Sequence, residues 1–224
     1  MALKLVTFDV YMALLDIQGS LVPVFADALS MSEAETGPLV RLWRAKQMER
    51  AASSNSLGLE RTPFRICTRL GLDYVLATRG IDLAVTDRDR LVMAWDKMTP
   101  WPEAQEVIAE VKRRGYRTAI LSNGDQDMLD AVAKNFGDDM DHVLSASSAG
   151  IYKPHPDVYK LPESILGVAK SDTLHVAGSP NDVLGTVAFG MRCYWSNRNS
   201  DVVLDPAYQP DHQGANLRGV LELL

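Results

Sequence analysis

The sequence predicts an α/β fold: a doubly wound, parallel, Rossmann-like sheet that carries a helical insert after its first strand. Five short apolar runs are near-continuous rather than alternating, as buried parallel strands are. From residue 99 onward, these runs alternate with helical patterns, which is typical of a doubly wound sheet. Residues 15–98 differ, because they show helical patterning and almost no strand signal.

The predicted strands of the sheet are all short and apolar: Leu5–Val10, Thr118–Ser122, His142–Ser145, Leu174–Ala177 and Cys193–Trp195. The predicted helices between them each place apolar residues on one face: Glu103–Arg114, Met128–Phe136 and Asp182–Phe189. Gly115 directly follows the first of these helices and is a good stop signal. Helices are therefore predicted before the second, third and fifth strands, where each can return the chain to the same edge of the sheet.

The helical insert is predicted to be a separate cap domain. Its predicted helices are Val22–Ser30, Glu33–Ala52, Pro63–Arg79 and Asp87–Met98. We expect residues 1–14 and 99–224 to form the α/β core and residues 15–98 to form the cap, with the two prolines of 99–102 stiffening the return linker. Ligands bind beyond the carboxyl ends of strands in open α/β sheets, so the insert is expected to cover that site.

The composition excludes several functional classes. Of 224 residues, 46% are hydrophobic and 23% charged, so a folded core is expected. A formal net charge of -6 without a basic block disfavours binding to nucleic acid or to a membrane surface. No apolar run is long enough to span a bilayer, and no signal peptide is evident. Cys67 and Cys193 lack a CxxC pattern, and their thiols fit the cytoplasm.

Polar signatures follow four of the predicted strands. Asp9 ends the first, Ser122 ends the second, Lys153 lies in the loop after the third, and Asp182 follows the fourth. The segments are FDVY at 8–11, LSNG at 121–124, GIYKPHP at 150–156 and VAGSPND at 176–182. Because the carboxyl ends of parallel strands share one edge, an acid, a hydroxyl, a lysine and a second acid are predicted to meet in one crevice.

This ordered set resembles the haloacid dehalogenase-like hydrolase superfamily over nearly the whole chain, including the place of the cap. The resemblance implies that Asp9 is the nucleophile, Ser122 the second motif, Lys153 the third and Asp182 the acid of the fourth. Most members of that superfamily are magnesium-dependent phosphatases, whose second acid stands two residues after the nucleophile. Here that position holds Tyr11, and an unperturbed tyrosine, with a pKa of ~10, cannot replace that acid near neutral pH.

Further residues resemble the 2-haloacid dehalogenase branch. Residues 43–49 match its cap-helix pattern WRxKQxE, whose arginine, Arg44 here, would receive the departing halide. LSNG is its form of the second motif, and Tyr159 matches an active-site tyrosine of that group. Gly178 and Ser179 stand where a phosphatase usually supplies an acid, which leaves a thin magnesium site. The resemblance therefore implies an enzyme that needs neither metal nor cofactor, and it implies a homodimer.

The implied reaction has two steps. Asp9 displaces halide from C2 of a short 2-haloalkanoate and forms an aspartyl ester, while Lys153 keeps Asp9 ionised. Water then hydrolyses the ester, positioned or activated by Asp182 and Lys153. An (S)-2-haloacid would give an (R)-2-hydroxyacid.

The remaining site residues are assigned to binding. Arg44 and Asn123 would cradle the halide, and Ser122 with nearby backbone N–H groups would hold the substrate carboxylate. Tyr11, Tyr159 and Ser179 are assigned to substrate binding in the same pocket.

Some positions depart from the pattern of that branch. Met12 and Ala13 replace its Gly-Thr pair, and Ala177 and Ser179 replace a serine and an asparagine. Arg41, three residues before Arg44 on the same helix face, is a competing halide ligand.

The sequence leaves several readings open. The alternatives for the whole protein are a magnesium-dependent small-molecule phosphatase and a degenerate, non-catalytic binding protein. The four histidines are interpreted as structural: His142, His155, His175 and His212.

Overall fold

The computed structural model describes residues 3–58 and 60–224, and its centre is a six-stranded parallel sheet. The strand order is β3-β2-β1-β4-β5-β6. The strands are β1 (Leu5–Phe8), β2 (Arg117–Ser122), β3 (His142–Ser145), β4 (Thr173–Ala177), β5 (Arg192–Ser196) and β6 (His212–Gly214). This sheet confirms the predicted α/β class and all five predicted strands.

The strand order places a topological switch point beside β1. The chain moves outward from β1 through β2 to β3, and then returns to the other side of β1 with β4. Thr7 of β1 is the register partner of Ala119 on one side and of His175 on the other. Ligand crevices in open α/β sheets form beyond the strand ends at such a point. The edge that follows β1 and β4 is therefore where a site is expected.

Contacts divide the chain into a helical unit, Asp16–Thr99, and an α/β unit formed by the rest of the described chain. The helical unit contains α1 (Ile17–Leu29), α2 (Glu33–Ser56), α3 (Phe64–Thr78), α4 (Val85–Met93) and a 3₁₀ turn, Ala94–Lys97. A capping box begins α2, in which the Ser32 hydroxyl accepts from the Glu35 N–H and the Glu35 carboxylate accepts from the Ser32 N–H.

In the α/β unit, the helices are α5 (Ala104–Arg113), α6 (Gln126–Ala133), α7 (Pro156–Tyr159), α8 (Leu161–Leu166) and α9 (Pro180–Phe189), and a 3₁₀ segment spans Leu217–Leu223. The short helices α7 and α8 and the edge strand β6 have no counterpart in the sequence prediction. Within the described residues, no helix is both long and apolar enough to cross a membrane.

The loops that follow β1 and β4 touch through Gly178. A Cβ at this position would lie 2.4 Å from the Ala13 backbone nitrogen and 3.0 Å from the Tyr11 carbonyl oxygen. Both obstacles are main-chain atoms, so neither can rotate away. Only glycine allows the two strand ends to approach this closely.

We predict that Gly178→Ala lowers the free energy of unfolding by about 1–3 kcal/mol, the usual cost of overpacking a filled site. Urea unfolding followed by circular dichroism measures this change. Gly37→Ala is the matched control, because a Cβ at Gly37 in α2 meets nothing closer than Arg41 Nη1 at 3.8 Å. The control should be neutral or stabilising, since alanine favours helix over glycine. Equal stability of Gly178→Ala and the unmodified protein would contradict the close approach.

Candidate active site

Asp9 is the first residue after β1, and its backbone continues the ladder to β4. Its N–H donates to the Val176 carbonyl (2.9 Å), which fixes the direction of the side chain. The carboxylate is buried, with Asp9 only 7% exposed. Its Oδ1 accepts a hydrogen bond from the Ser122 hydroxyl at the end of β2 (3.0 Å). A buried carboxylate needs such partners to remain charged.

Lys153 lies between two carboxylates. Its Nζ is 3.4 Å from Asp9 Oδ1 and 3.1 Å from the Asp182 carboxylate, and the side chain is 6% exposed. The loop that carries it is fixed by Asn123, whose side-chain Oδ1 accepts from the Lys153 backbone N–H (2.8 Å). The structure thus brings the acid, the hydroxyl, the lysine and the second acid together at the switch point, with Asn123 holding the lysine loop.

Asp182 lies in the first turn of α9 and is held from three sides. Its carboxylate accepts from the Tyr159 hydroxyl (2.8 Å), lies 2.9 Å from His175 Nε2 and pairs with Lys153. Burial alone would raise the pKa of Asp182, but the Lys153 charge and the hydrogen bonds from His175 and Tyr159 outweigh it and lower the pKa below its ordinary value. Asp182 is therefore a fixed anion and a weak base.

Tyr159 follows the lysine loop and packs against α9. A Cβ at Gly185 would lie 2.4 Å from the Tyr159 hydroxyl oxygen, so the glycine makes room for the ring. Burial and the neighbouring Asp182 charge raise the pKa of Tyr159 well above its ordinary value. The phenol consequently stays protonated and donates to Asp182.

Tyr11 lies two residues after Asp9, at the position where the phosphatases of the resembled superfamily carry their second acid. It is buried, and a Cβ at Gly124 would lie 2.9 Å from its hydroxyl oxygen. The glycine of the LSNG segment therefore gives room to Tyr11. Met12, the next residue, has φ of 78°, a left-handed conformation that costs a non-glycine residue about 1–2 kcal/mol. Its carbonyl accepts from Trp101 Nε1 (3.2 Å), which helps to hold the turn.

Ser179 begins α9. Its hydroxyl accepts from the Asp182 N–H (3.4 Å) as the helix N-cap, and the residue is partly exposed. This N-cap hydrogen bond orients the first turn of α9 and with it the Asp182 side chain.

Arg44 belongs to the helical unit, where the WRxKQxE segment ties α2 to α3. Trp43 Nε1 donates to the Thr68 carbonyl (2.7 Å), and Gln47 Nε2 donates to the Thr68 hydroxyl (2.6 Å). Gln47 Oε1 in turn accepts from Arg44 Nη1 (2.6 Å). The guanidinium also lies 5.8 Å from the centroid of the Trp95 ring. These neutral groups hold the Arg44 side chain in a defined position.

Arg41 is held less firmly within the same unit. It is exposed, and its Nη1 donates to Gln18 Oε1 at a long 3.4 Å. The two arginines that share a helix face in the sequence thus differ in how firmly their surroundings fix them.

Sequence reasoning did not assign His175 or Thr7 to this site. His175 is fully buried on β4, with Nε2 directed at Asp182 and Lys153, and Thr7 Oγ1 lies 2.8 Å from Nδ1. Its interpretation as a purely structural histidine overlooked these contacts with site residues. No sequence signal could have found it, because only the register of β4 against β1 places His175 beside Thr7 and close to Asp9.

Comparisons with known proteins agree with this geometry. The family model of haloacid dehalogenase-like hydrolases matches residues 3–190. An (S)-2-haloacid dehalogenase from Pseudomonas sp. (strain YL) is 34% identical over 223 residues, which cover 99% of this chain and 94% of that protein.

Solved structures of dehalogenases are also similar to this chain. A crystal structure of a dehalogenase superposes with a TM-score of 0.91 and 30% identity, covering 99% of this chain and 97% of that one. The L-2-haloacid dehalogenase from Xanthobacter autotrophicus with chloropropionic acid covalently bound superposes with a TM-score of 0.85 and 28% identity, covering 99% and 98%. With a family model over most of its length and a relative of this similarity, the chain belongs to the haloacid dehalogenase-like hydrolase family.

Proposed function

We propose that this protein releases halide from short (S)-2-haloalkanoates and forms (R)-2-hydroxyacids without a metal ion or cofactor. The observation that carries the proposal is the Asp9–Lys153–Asp182 arrangement, in which one ammonium is shared by two buried carboxylates. The names of the relatives, (S)-2-haloacid dehalogenases, support the substrate class. The covalently bound chloropropionic acid in one structural neighbour supports an ester intermediate.

In the first step, a carboxylate oxygen of Asp9 attacks C2 of the substrate. The new C–O bond forms as the carbon–halogen bond breaks, and the halide leaves with both electrons. Attack from the side opposite the halide inverts C2. The single hydroxyl proton of Ser122 is donated to Asp9 Oδ1 in this structure. When substrate binds, Ser122 is assigned to donate it to the substrate carboxylate, together with nearby backbone N–H groups.

In the second step, water attacks the carbonyl carbon of the Asp9 ester. The bond between that carbon and the oxygen attached to C2 breaks, and this oxygen, which came from Asp9, leaves with the hydroxyacid. Of the two water protons, one goes to the hydroxyl group of the product and the other is released to solvent as the Asp9 carboxylate is regenerated. Because its lowered pKa makes Asp182 a weak base, we assign Asp182 and Lys153 to orienting the water and polarising the ester. Tyr159 holds Asp182 through its hydroxyl.

The available oxygen ligands favour chemistry without magnesium. Magnesium requires near-octahedral oxygen coordination. Here the Asp182 carboxylate already accepts from Tyr159 and pairs with Lys153, and the contact of Gly178 with the neighbouring backbone excludes a carboxylate side chain at that position. The site residues therefore do not fit a magnesium ion, and we propose no step through one.

The halide is assigned to Arg44 and the Asn123 side chain, because a departing anion needs a cation or hydrogen-bond donor where its charge develops. Tyr11 and Ser179 are assigned to the walls of the substrate pocket. The helical unit is proposed to act as a cap that excludes bulk water during the first step.

Incubation with EDTA and (S)-2-chloropropionate should release chloride at the same rate as incubation without EDTA, and Asp9→Asn should release none. Chloride is measured with an ion-selective electrode. Monochloroacetate should also be a substrate, whereas (R)-2-chloropropionate should not. Loss of chloride release on chelation, with recovery on adding magnesium, would contradict the proposal.

Heavy-oxygen water distinguishes the ester route from direct attack of water on C2. With enzyme in excess, the hydroxyacid should receive its new oxygen from Asp9, and the heavy isotope should appear in the peptide that contains Asp9. Mass spectrometry of the hydroxyacid and of a protein digest measures the isotope content of both. Heavy oxygen in the first product and none in the peptide would rule out Asp9 as the nucleophile.

Arg44→Gln should lower kcat for chloride release by about 10²-fold, the usual cost of removing one donor to a developing anion. Arg41→Gln, the matched control on the same helix, should retain activity within a few-fold. Inhibition by added bromide should weaken in Arg44→Gln and not in the control. If Arg41→Gln suffers the greater loss, the halide role belongs to Arg41.

We further propose a cytoplasmic homodimer. Cys67 and Cys193 are both buried and in the thiol form, which suits a reducing compartment. One face of α3 exposes Ile66, Leu70 and Tyr74, which are 48%, 42% and 46% exposed. Spaced four residues apart, they form an apolar stripe that a second copy could cover.

Light scattering should therefore give about twice the chain mass of 24.7 kDa. Leu70→Glu should shift the protein towards the monomer, because it places a charge in the centre of the stripe. Ser56→Glu, at the exposed last residue of α2, is the control and should leave the mass unchanged. A monomeric mass for the unmodified protein would dismiss the dimer.

A further inference from the structure

We infer that His175, oriented by Thr7, is a positioning residue of the dehalogenation site: its Nε2–H holds Asp182 and thereby keeps Lys153 shared between Asp182 and the nucleophile Asp9. The inference rests on the proposed function, since it names a further residue for the same reaction. It is carried by a continuous chain of buried polar contacts that runs from β1 through β4 to α9.

The tautomer of His175 follows from its partners. Thr7 Oγ1 lies 2.8 Å from Nδ1 and a long 3.5 Å from the Leu174 carbonyl, so Nδ1 is the better placed acceptor for the hydroxyl proton. The proton of the neutral ring is then on Nε2, which faces Asp182 Oδ2 at 2.9 Å. The opposite tautomer would set the Nε2 lone pair against the closer carboxylate oxygen, two acceptors in contact. Lys153 Nζ lies farther from Nε2, at 3.2 Å, and donates to the carboxylates of Asp182 and Asp9.

The ring also lacks freedom to move. His175 is completely buried between neighbouring strands, and the Tyr159 ring meets it edge-on with centroids 6.0 Å apart. Burial lowers the pKa of His175 below its ordinary value, which keeps the imidazole neutral. A neutral donor stabilises the Asp182 carboxylate without adding a second positive charge beside Lys153.

The consequence for the nucleophile comes through Lys153. Asp182 Oδ2 receives both the His175 N–H and the Lys153 ammonium (3.1 Å), while Lys153 also reaches Asp9 Oδ1 at 3.4 Å. Tyr159 donates to the other oxygen, Oδ1, so His175 is the neutral donor to the oxygen that Lys153 approaches. Without the histidine donor, Asp182 Oδ2 would draw Lys153 closer to itself and away from Asp9. Ala13 makes this balance important, because the family pattern has a threonine hydroxyl there and this chain has a methyl group.

Two substitutions separate positioning from packing. His175→Gln can place an amide N–H near the position of Nε2, whereas His175→Phe keeps a ring of similar shape and removes the donor. We expect kcat for chloride release to fall about 10- to 100-fold in His175→Phe, as when a hydrogen bond to a charged group is lost, with KM changed much less. His175→Gln should recover a large part of kcat.

Thr7 gives an independent pair of variants. Thr7→Ser keeps the hydroxyl and should retain activity, whereas Thr7→Val keeps the shape and should lower kcat in the same direction as His175→Phe. If His175→Phe is as active as His175→Gln, or Thr7→Val as active as Thr7→Ser, the side chains act by packing and the inference is overturned. Circular dichroism confirms that each variant is folded before its rate is compared.

Nitrogen NMR of protein labelled at its four histidines tests the same inference without any turnover. His175→Phe identifies the signal of this ring. We expect a neutral Nε2–H tautomer with Nδ1 as a hydrogen-bond acceptor, and loss of that hydrogen bond in Thr7→Val. The Nδ1–H tautomer would overturn the inference even if chloride is released, whereas absence of chloride release with the expected tautomer would fault the proposed function instead.

Discussion

The buried ammonium of Lys153, held between Asp9 and Asp182, is the interaction on which the site depends. Three chain segments must converge to make it: the end of β1, the loop after β3 and the first turn of α9. The strand order brings β1 and β4 side by side, and Asn123 ties the lysine loop to the end of β2. Removing one partner of such a buried set leaves an uncompensated charge, which costs about 3–5 kcal/mol. The same contacts thus stabilise the fold and prepare the chemistry.

The charges of this site suit a nucleophile that must lose its charge. Two carboxylates and one ammonium give the resting site one net negative charge, which the proposed reaction uses at Asp9. When Asp9 becomes an ester, the negative charge leaves with the halide and a neutral Lys153–Asp182 pair remains. Asp182 therefore keeps the ester intermediate free of an isolated buried ammonium. A site with Lys153 and Asp9 alone would leave that ammonium unpaired in the intermediate.

The sequence was sufficient for the sheet and the convergence of its strand ends, because both follow from local patterns. Near-continuous apolar runs predict parallel strands, and parallel strands end at one edge. The edge strand β6 could not be predicted, since its residues His-Gln-Gly carry no apolar pattern. It forms where Asp211 accepts from the Cys193 N–H and Gly214 accepts from the Asn197 N–H. Such partners are visible only after the chain has folded.

The contact between Thr7 and His175 was beyond sequence reasoning for a different reason. The residues are 168 positions apart, and only the register of β1 against β4 makes them neighbours. A histidine inside an apolar strand gives no local indication of whether its nitrogens face a catalytic carboxylate or a backbone carbonyl. Likewise, Arg41 and Arg44 lie on one helix face in the sequence, and only folding shows that Gln47 fixes Arg44 while Arg41 is exposed.

The departures from the family pattern lie in the two loops that follow β1 and β4. Gly178 touches the backbone of Ala13, so neither loop can change its path independently. Ala13 provides no hydroxyl to the nucleophile, whose Oδ1 accepts from Ser122 and Lys153. A donor that also serves Asp182 is effective at Asp9 only if Asp182 has another donor of its own. The Tyr159 hydroxyl meets that requirement at Oδ1, and the Nε2–H of His175, fixed by Thr7, meets it at Oδ2, the oxygen that Lys153 also approaches. The neighbouring strand β4 thus takes part in supporting the nucleophile.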